Sequence, residues 1–405
     1  MKYVVCIGDG MADYPLDELG GVTPLQCART PNMDALAQSG RCGTARMIPR
    51  GFSAGSDIAH LSIFGYEPKK NLCGRAVLEM ASTGLSLREG QVAFRCDFVT
   101  ESDGILIDNR AGGLSSEEAS ELIRYLNDKL HIPGVMFYAL EGYKNIMVLD
   151  TTALGSDFNQ IKYVPPCEIV GQKVDPNLPG GSGSDILRNI LKTASEILRS
   201  HEINVVKIDL GENPANFLWI WGAGKSPDFK RFSDLYGKRS CIVSATHVVR
   251  GLGRLLGMDV FNVPGMTGYF DTNYEGKALC ALEALREYDC AIVHVEAPDE
   301  ASHSGSVTEK IKSIENFDEK VIGTIYNHIN AFDSEGWRIM VISDHVTPVS
   351  LRRHVSDPVP FLIAGNTIKP DTVAEFNEVS AKKGGFKLRD GHTLMSMLLA
   401  HTNSK

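Results

Sequence analysis

The sequence predicts an α/β protein: a mainly parallel sheet flanked by helices, with a second α+β domain inserted into it. Three observations predict this. Short apolar runs at residues 3–8, 290–295 and 338–343 each end in polar residues. A helical pattern separates the last two. The middle of the chain changes to shorter alternating stretches rich in Gly and Pro. Strands that alternate with helices argue for a parallel sheet.

The elements follow in chain order. Tyr3-Val4-Val5-Cys6-Ile7-Gly8 reads as a buried strand that stops at Asp9-Gly10. Thr30-Pro31 opens a helix, with Thr30 as N-cap and Pro31 at the first helical position. Gly55-Ser56-Asp57 opens another, which Ser56 is placed to cap. Cys290–Val295 and Arg338–Ser343 are further buried strands. Between them Val307, Ile311, Ile314, Phe317, Val321, Ile322 and Ile325 recur at helical spacing over 307–330. In such sheets reactive residues gather beyond the carboxyl ends of the strands, and Asp9, Asp299 and Asp344 all fall there. Residues 89–230 hold alternating stretches such as 92–99 and 143–148, and a breaker-rich loop at 175–184. These define the expected domains: 1–88 with 231–405 as the catalytic domain, and 89–230 as the inserted one.

The formal charge of −9 argues against nucleic acid or an acidic membrane surface as partner, since both demand clustered Lys and Arg. A small phosphorylated substrate remains compatible if positive charge is gathered locally. No segment approaches the 18 or so apolar residues of a membrane span, and the N-terminal apolar run is too short for a signal peptide. The nine cysteines show no C-x-x-C spacing, so a reduced, cytoplasmic protein is expected. No Gly-x-x-x-x-Gly-Lys-Ser/Thr loop is present, which argues against a P-loop nucleotide site.

The chemistry-bearing candidates at strand ends are Asp9; Ser56 with Asp57; Asp299 and His303; Asp344 and His345; and His354. Each has an ordinary alternative. Asp9-Gly10 makes a turn, Ser56 a helix cap, Asp299 and His303 an i,i+4 surface pair, and His354 lies beside Arg352 and Arg353 in a basic loop. Their shared order and placement raise the joint signal above any part. With Asp57 left aside, seven ligands exceed the needs of one ion and suit two, which can hold both oxygens of an in-line displacement. The mixture of carboxylate and imidazole suits Mn²⁺ or Zn²⁺ better than Ca²⁺ or Mg²⁺.

Asp9-Gly10-x-x-Asp13, Gly55-Ser56-Asp57-x-Ala59-His60-Leu61, Asp299-x-x-x-His303, Ser343-Asp344-His345 and His354-x-x-Asp357-Pro358-Val359-Pro360 resemble the alkaline-phosphatase superfamily. Along nearly the whole chain the resemblance is to its cofactor-independent phosphoglycerate mutases of the archaeal type. That resemblance implies an alkaline-phosphatase-like sheet and a glycolytic isomerase that interconverts 3- and 2-phosphoglycerate through phosphoserine at Ser56, without 2,3-bisphosphoglycerate. It implies one metal on Asp299, His303 and His354 and another on Asp9, Asp344, His345 and Ser56. Mn²⁺ is the first choice, with Zn²⁺, Co²⁺ or Mg²⁺ as alternatives. Arg75, Arg95 and Arg110 are the candidates for gripping substrate anions, and Asp108 for general acid/base work. Cys167 and Trp221-Gly222-Ala223-Gly224 depart from the family pattern, and Lys225 or Lys207 stand as replacement cations. A metal-dependent phosphohydrolase or a homoserine-kinase-like phosphotransferase on the same core is the alternative.

Overall fold

The computed structural model describes residues 1–400, which divide into two units: residues 1–72 with 228 onward, and residues 73–227. Thirteen strands are present among the described residues: β1 (Lys2–Gly8), β2 (Gly40–Ala45), β3 (Gln91–Ser102), β4 (Ile105–Asp108), β5 (Val135–Glu141), β6 (Lys144–Asp150), β7 (Phe217–Gly224), β8 (Ser240–Val243), β9 (Asp259–Phe261), β10 (Cys290–Val295), β11 (Trp337–Ile342), β12 (Val359–Gly365) and β13 (Phe386–Leu388). Among the described residues, no helix is long and apolar enough to cross a membrane.

The first unit is built on an eight-stranded sheet in the order β13-β2-β12-β11-β1-β10-β8-β9. Only β12 runs against the rest, antiparallel to both β11 and β2. β1 is central and pairs in parallel with β10 on one side and β11 on the other. It reads as a continuous apolar run because all seven of its residues are buried. The parallel register brings the ends of β1, β10, β11 and β8 to one edge. The residues that follow these strands are therefore neighbours, though they are hundreds of positions apart in the chain.

Two helix starts differ from the sequence expectation. Thr30 makes no side-chain cap for the helix Pro31–Ser39. Asp318 does this instead, accepting from the N–H groups of Asn32 at 3.2 Å and Met33 at 2.7 Å. Asp318 is fully buried and lies in a π-helical stretch, Phe317–Ile322, which interrupts the helix expected over 307–330. At the second start, Gly55 occupies the N-cap and Ser56 is the first residue of the helix Ser56–Ile63. Its hydroxyl is thus not spent on capping.

The second unit carries an antiparallel sheet in the order β4-β3-β6-β5, with β7 paired to the long strand β3. Phe94, Cys96 and Phe98 of β3 are buried in a core with Leu122 and Leu126 of the helix Ser116–Lys129 and Leu187, Leu191 and Leu198 of the helix Ser184–Arg199.

Candidate metal centre

Asp9 is the first residue beyond β1, and its N–H donates to the Val295 carbonyl at 2.9 Å. The chain must then turn sharply. Gly10 has φ +58°, and a Cβ there would lie 2.8 Å from the Asp299 Cα, so glycine is required on two counts. Gly10 N–H and His345 N–H both donate to Asp344 Oδ1, at 2.9 and 2.7 Å. This fixes Asp344 at the end of β11 and leaves its Oδ2 exposed to the cluster.

Around His345 Nε2 three oxygens converge: Ser56 Oγ at 3.1 Å, Asp344 Oδ2 at 3.1 Å and Asp9 Oδ1 at 3.4 Å. Asp9 Oδ1 and Asp344 Oδ2 are buried and have no hydrogen-bond partner. An acceptor left this way costs roughly 1–3 kcal/mol, which makes an orphaned pair an informative feature. Ser56 is half-buried, so the cluster has an approach from solvent.

The second group forms on the helix Ala297–Ser304 after β10. Asp299 and His303 are one turn apart, with Asp299 Oδ2 3.2 Å from His303 Nε2 and 3.3 Å from His354 Nε2. The two Nε2 atoms stand 2.9 Å apart. His303 Nδ1 donates to the Arg352 carbonyl at 2.9 Å, which fixes its tautomer and directs Nε2 to Asp299. The structure therefore brings all seven sequence candidates together, in two adjoining groups linked by the stacked rings of His345 and His354 at 3.8 Å. Groups of three that could hold a metal ion are Asp299, His345 and His354; Asp9, Asp344 and His345; and Asp9, His60 and His294.

Burial and neighbouring charges set the electrostatics of the cluster. Burial, followed by the charges of Asp344, Asp299 and Glu296, lifts the Asp9 carboxyl well above the usual range. Burial acts in the same direction on Asp299, but hydrogen bonds with His303 and His354 outweigh it and hold that carboxyl well below the usual range. The hydrogen bond to Asp299 pushes His303 up to about 9. Burial pulls His345 down to about 4 despite Asp344, which leaves it a neutral imidazole, the form that ligates. Three buried carboxylates, two of them with an orphaned oxygen, beside the neutral imidazole of His345 form a donor set that fits divalent cations.

Some members of the site are not evident from sequence patterns. Lys310 is fully buried; its ammonium meets Asp13 Oδ2 at 2.7 Å and the Thr347 carbonyl at 2.9 Å, bracing the loops after β1 and β11. Thr347, His60 and His294 also line the cluster. The available signal for His294 is a lone polar residue inside the apolar run Cys290–Val295.

In the second unit Arg75 is exposed and Arg95 is 3% exposed. Arg95 Nη1 contacts Glu79 Oε2 at 2.5 Å, and its Nε contacts Asp97 Oδ1 at 2.5 Å. Arg75 Nε also reaches Glu79, at 2.8 Å. Trp221 Nε1 donates to Asp97 Oδ2 at 2.8 Å, and the guanidinium carbons of Arg75 and Arg95 lie 5.7 and 5.4 Å from its ring centroid. Asp108 accepts from the N–H groups of Arg110 and Gly112, both at 2.8 Å, and from Asn213. Burial raises its carboxyl, but these donors outweigh that and lower it. Arg110, Cys167 and Lys225 are exposed. Lys207 pairs with Glu118 at 3.3 Å and Glu212 at 3.5 Å.

Residues 1–401 match a family described as the metalloenzyme superfamily. A 2,3-bisphosphoglycerate-independent phosphoglycerate mutase of Methanothrix thermoacetophila is 45% identical over 400 residues, covering 99% of this chain and 100% of the relative. A protein of Geobacter sulfurreducens described as a probable mutase of the same kind is 43% identical, covering 98% and 100%. Among solved structures, a protein from Pyrococcus horikoshii superposes with a TM-score of 0.84 at 32% identity, covering 100% of this chain and 99% of that one. A cofactor-independent phosphoglycerate mutase from Thermoplasma acidophilum superposes at 0.67 and 26% identity, covering 98% and 99%. The chain belongs to the metalloenzyme superfamily and, within it, to the family of 2,3-bisphosphoglycerate-independent phosphoglycerate mutases.

Proposed function

We propose that this protein interconverts 3-phosphoglycerate and 2-phosphoglycerate through a phosphoseryl intermediate at Ser56, with two divalent cations, Mn²⁺ by preference. The observation that carries the reading is the position of Ser56 Oγ, 3.1 Å from His345 Nε2 in the cluster that also holds Asp9 and Asp344. Full-length identity to relatives named as such mutases supports the substrate.

Asp9, Asp344, His345 and Ser56 would hold one ion, and Asp299, His303 and His354 the other. When bound, the ions supply Lewis-acid charge that lowers the serine hydroxyl's pKa and steadies the phosphoryl oxygens. Ser56 gives up its hydroxyl proton as Oγ attacks the phosphorus of 3-phosphoglycerate, the bond to the 3-oxygen breaks, and that oxygen takes up a proton in turn. Glycerate then turns, its 2-hydroxyl attacks phosphoserine, and Ser56 is regenerated as the 2-oxygen loses its proton. The first turn of the helix Ser56–Ile63 offers N–H groups to the phosphoseryl oxygens.

Between the two transfers glycerate must be retained, which requires cations for its carboxylate and for the phosphate. We assign that work to the second unit, with Arg75 and Arg110 as direct candidates. Arg95 contributes by anchoring Glu79 and Asp97, on which Arg75 and Trp221 rest. Asp108 shapes the loop that carries Arg110. A cytoplasmic location is supported by the nine free cysteines.

The test is an assay of the purified protein with Mn²⁺ and 3-phosphoglycerate, in the absence of 2,3-bisphosphoglycerate. Formation of 2-phosphoglycerate is expected. Release of inorganic phosphate alone would favour the phosphohydrolase.

A further inference from the structure

His294 and Asp9 are paired beneath the cluster. His294 Nε2 lies 2.9 Å from Asp9 Oδ2, and both side chains are at least 98% buried. On its other side His294 Nδ1 lies 3.0 Å from Ser244 Oγ, which itself accepts from the Thr246 N–H at 3.2 Å. The polarity of this chain is set by its ends. Thr246 N–H can only donate, so the Ser244 hydroxyl is free to donate to His294 Nδ1. That leaves the proton on Nε2, where it meets a carboxylate that can only accept when ionised. The backbone supports the same geometry: His294 is on β10, Ser244 follows the neighbouring parallel strand β8, and Asp9 follows β1 on the other side. The His294 carbonyl accepts from the buried Lys277 ammonium at 3.2 Å, which holds this stretch of strand in place.

We propose that His294 is a positioning residue for the metal centre: its Nε2–H, oriented by Ser244, holds Asp9 Oδ2 so that Oδ1 faces Ser56, Asp344 and His345. The inference rests on the two-ion reading given above and adds to it the group that orients one ligand. Outer hydrogen bonds of this kind change metal affinity by about 10- to 100-fold when removed. The effect should fall on one site. Asp9 stands in the group with Asp344 and His345, and no hydrogen bond joins His294 to Asp299, His303 or His354 among the described residues.

The experiment titrates metal-stripped full-length protein with Mn²⁺ by calorimetry, and locates the ions by anomalous diffraction from crystals at limiting Mn²⁺. His294→Leu removes the donor, His294→Gln replaces it with an amide N–H, and Ser244→Ala removes the group that orients it. His294→Leu is expected to weaken the Asp9 site about 10- to 100-fold and the Asp299 site less than about twofold. His294→Gln should restore most of the loss. Ser244→Ala should weaken the same site by less, and it decides the matter if His294→Leu does not fold. Equal weakening of both sites, an unchanged Asp9 site in His294→Leu (or in Ser244→Ala where His294→Leu does not fold), or loss of a third ion would each overturn the proposal. The third-ion result would make His294 a ligand instead. Fewer than two ions in the unmodified protein would contradict the two-ion reading itself.

Discussion

The Thr347 hydroxyl donates to Asp299 Oδ1 at 2.7 Å and lies 2.9 Å from His345 Nδ1. Because its single proton goes to Asp299, it accepts from His345 Nδ1–H, which leaves the Nε2 lone pair toward Ser56. One hydroxyl thus orients residues assigned to different ions. Thr347→Val should weaken both ions in Mn²⁺ titration, by about 10- to 100-fold at each site. Thr347→Ser should behave nearly as the unmodified protein. Full affinity in Thr347→Val would show that the bridge is dispensable.

Arg95 lies between Glu79 and Asp97 with its side chain 3% exposed. Removing one partner from a buried ion pair leaves uncompensated charge and costs about 3–5 kcal/mol. Arg95→Ala should therefore destabilise the protein by that order in denaturant unfolding. Unchanged stability with lost mutase activity would instead make Arg95 a direct substrate ligand.

Lys277 gives a pH signature. Burial lowers its pKa from 10.5 to about 8, with Glu296 opposing the shift. The unfolded chain holds the proton up to a higher pH than the folded one, so between pH 8 and 10.5 stability rises with pH. The size is of the order of 3 kcal/mol at most. Lys277→Met should lack that rise. The check is the difference between the two unfolding curves across this pH range, and parallel curves would refute it.

Substrate retention separates mutase from hydrolase. Arg75→Ala and Arg110→Ala should lower 2-phosphoglycerate formation more than hydrolysis of a simple phosphate ester, because only the mutase must hold its dephosphorylated intermediate. Equal losses in both assays would remove these arginines from that role.

Much of the fold was legible in the sequence because its central strands are buried on both faces. β1, β10 and β11 therefore read as unbroken apolar runs, and their polar successors Asp9, Asp299 and Asp344 stood out. Features that depend on partners far along the chain were not legible. Asp318 caps a helix that begins 287 residues earlier, at Pro31. The pairing of Arg95 with Glu79 depends on strand and helix packing that no local pattern records. His294 sits inside an apolar run, and only the register of β8, β10 and β1 reveals that it joins Ser244 to Asp9.

The central claim is that Ser56 carries the phosphoryl group. Replacing Ser56 by Ala should abolish transfer, a loss far beyond the roughly 0.5–1.5 kcal/mol of one hydrogen bond, because the covalent route itself disappears. The direct measurement is rapid acid quench of the Mn²⁺-loaded protein during turnover of 3-phosphoglycerate, followed by peptide mass spectrometry. Phosphate on the peptide containing Ser56, absent from Ser56→Ala, is the expected result. Continued formation of 2-phosphoglycerate with Ser56 never phosphorylated, or with phosphate on another residue, would contradict it.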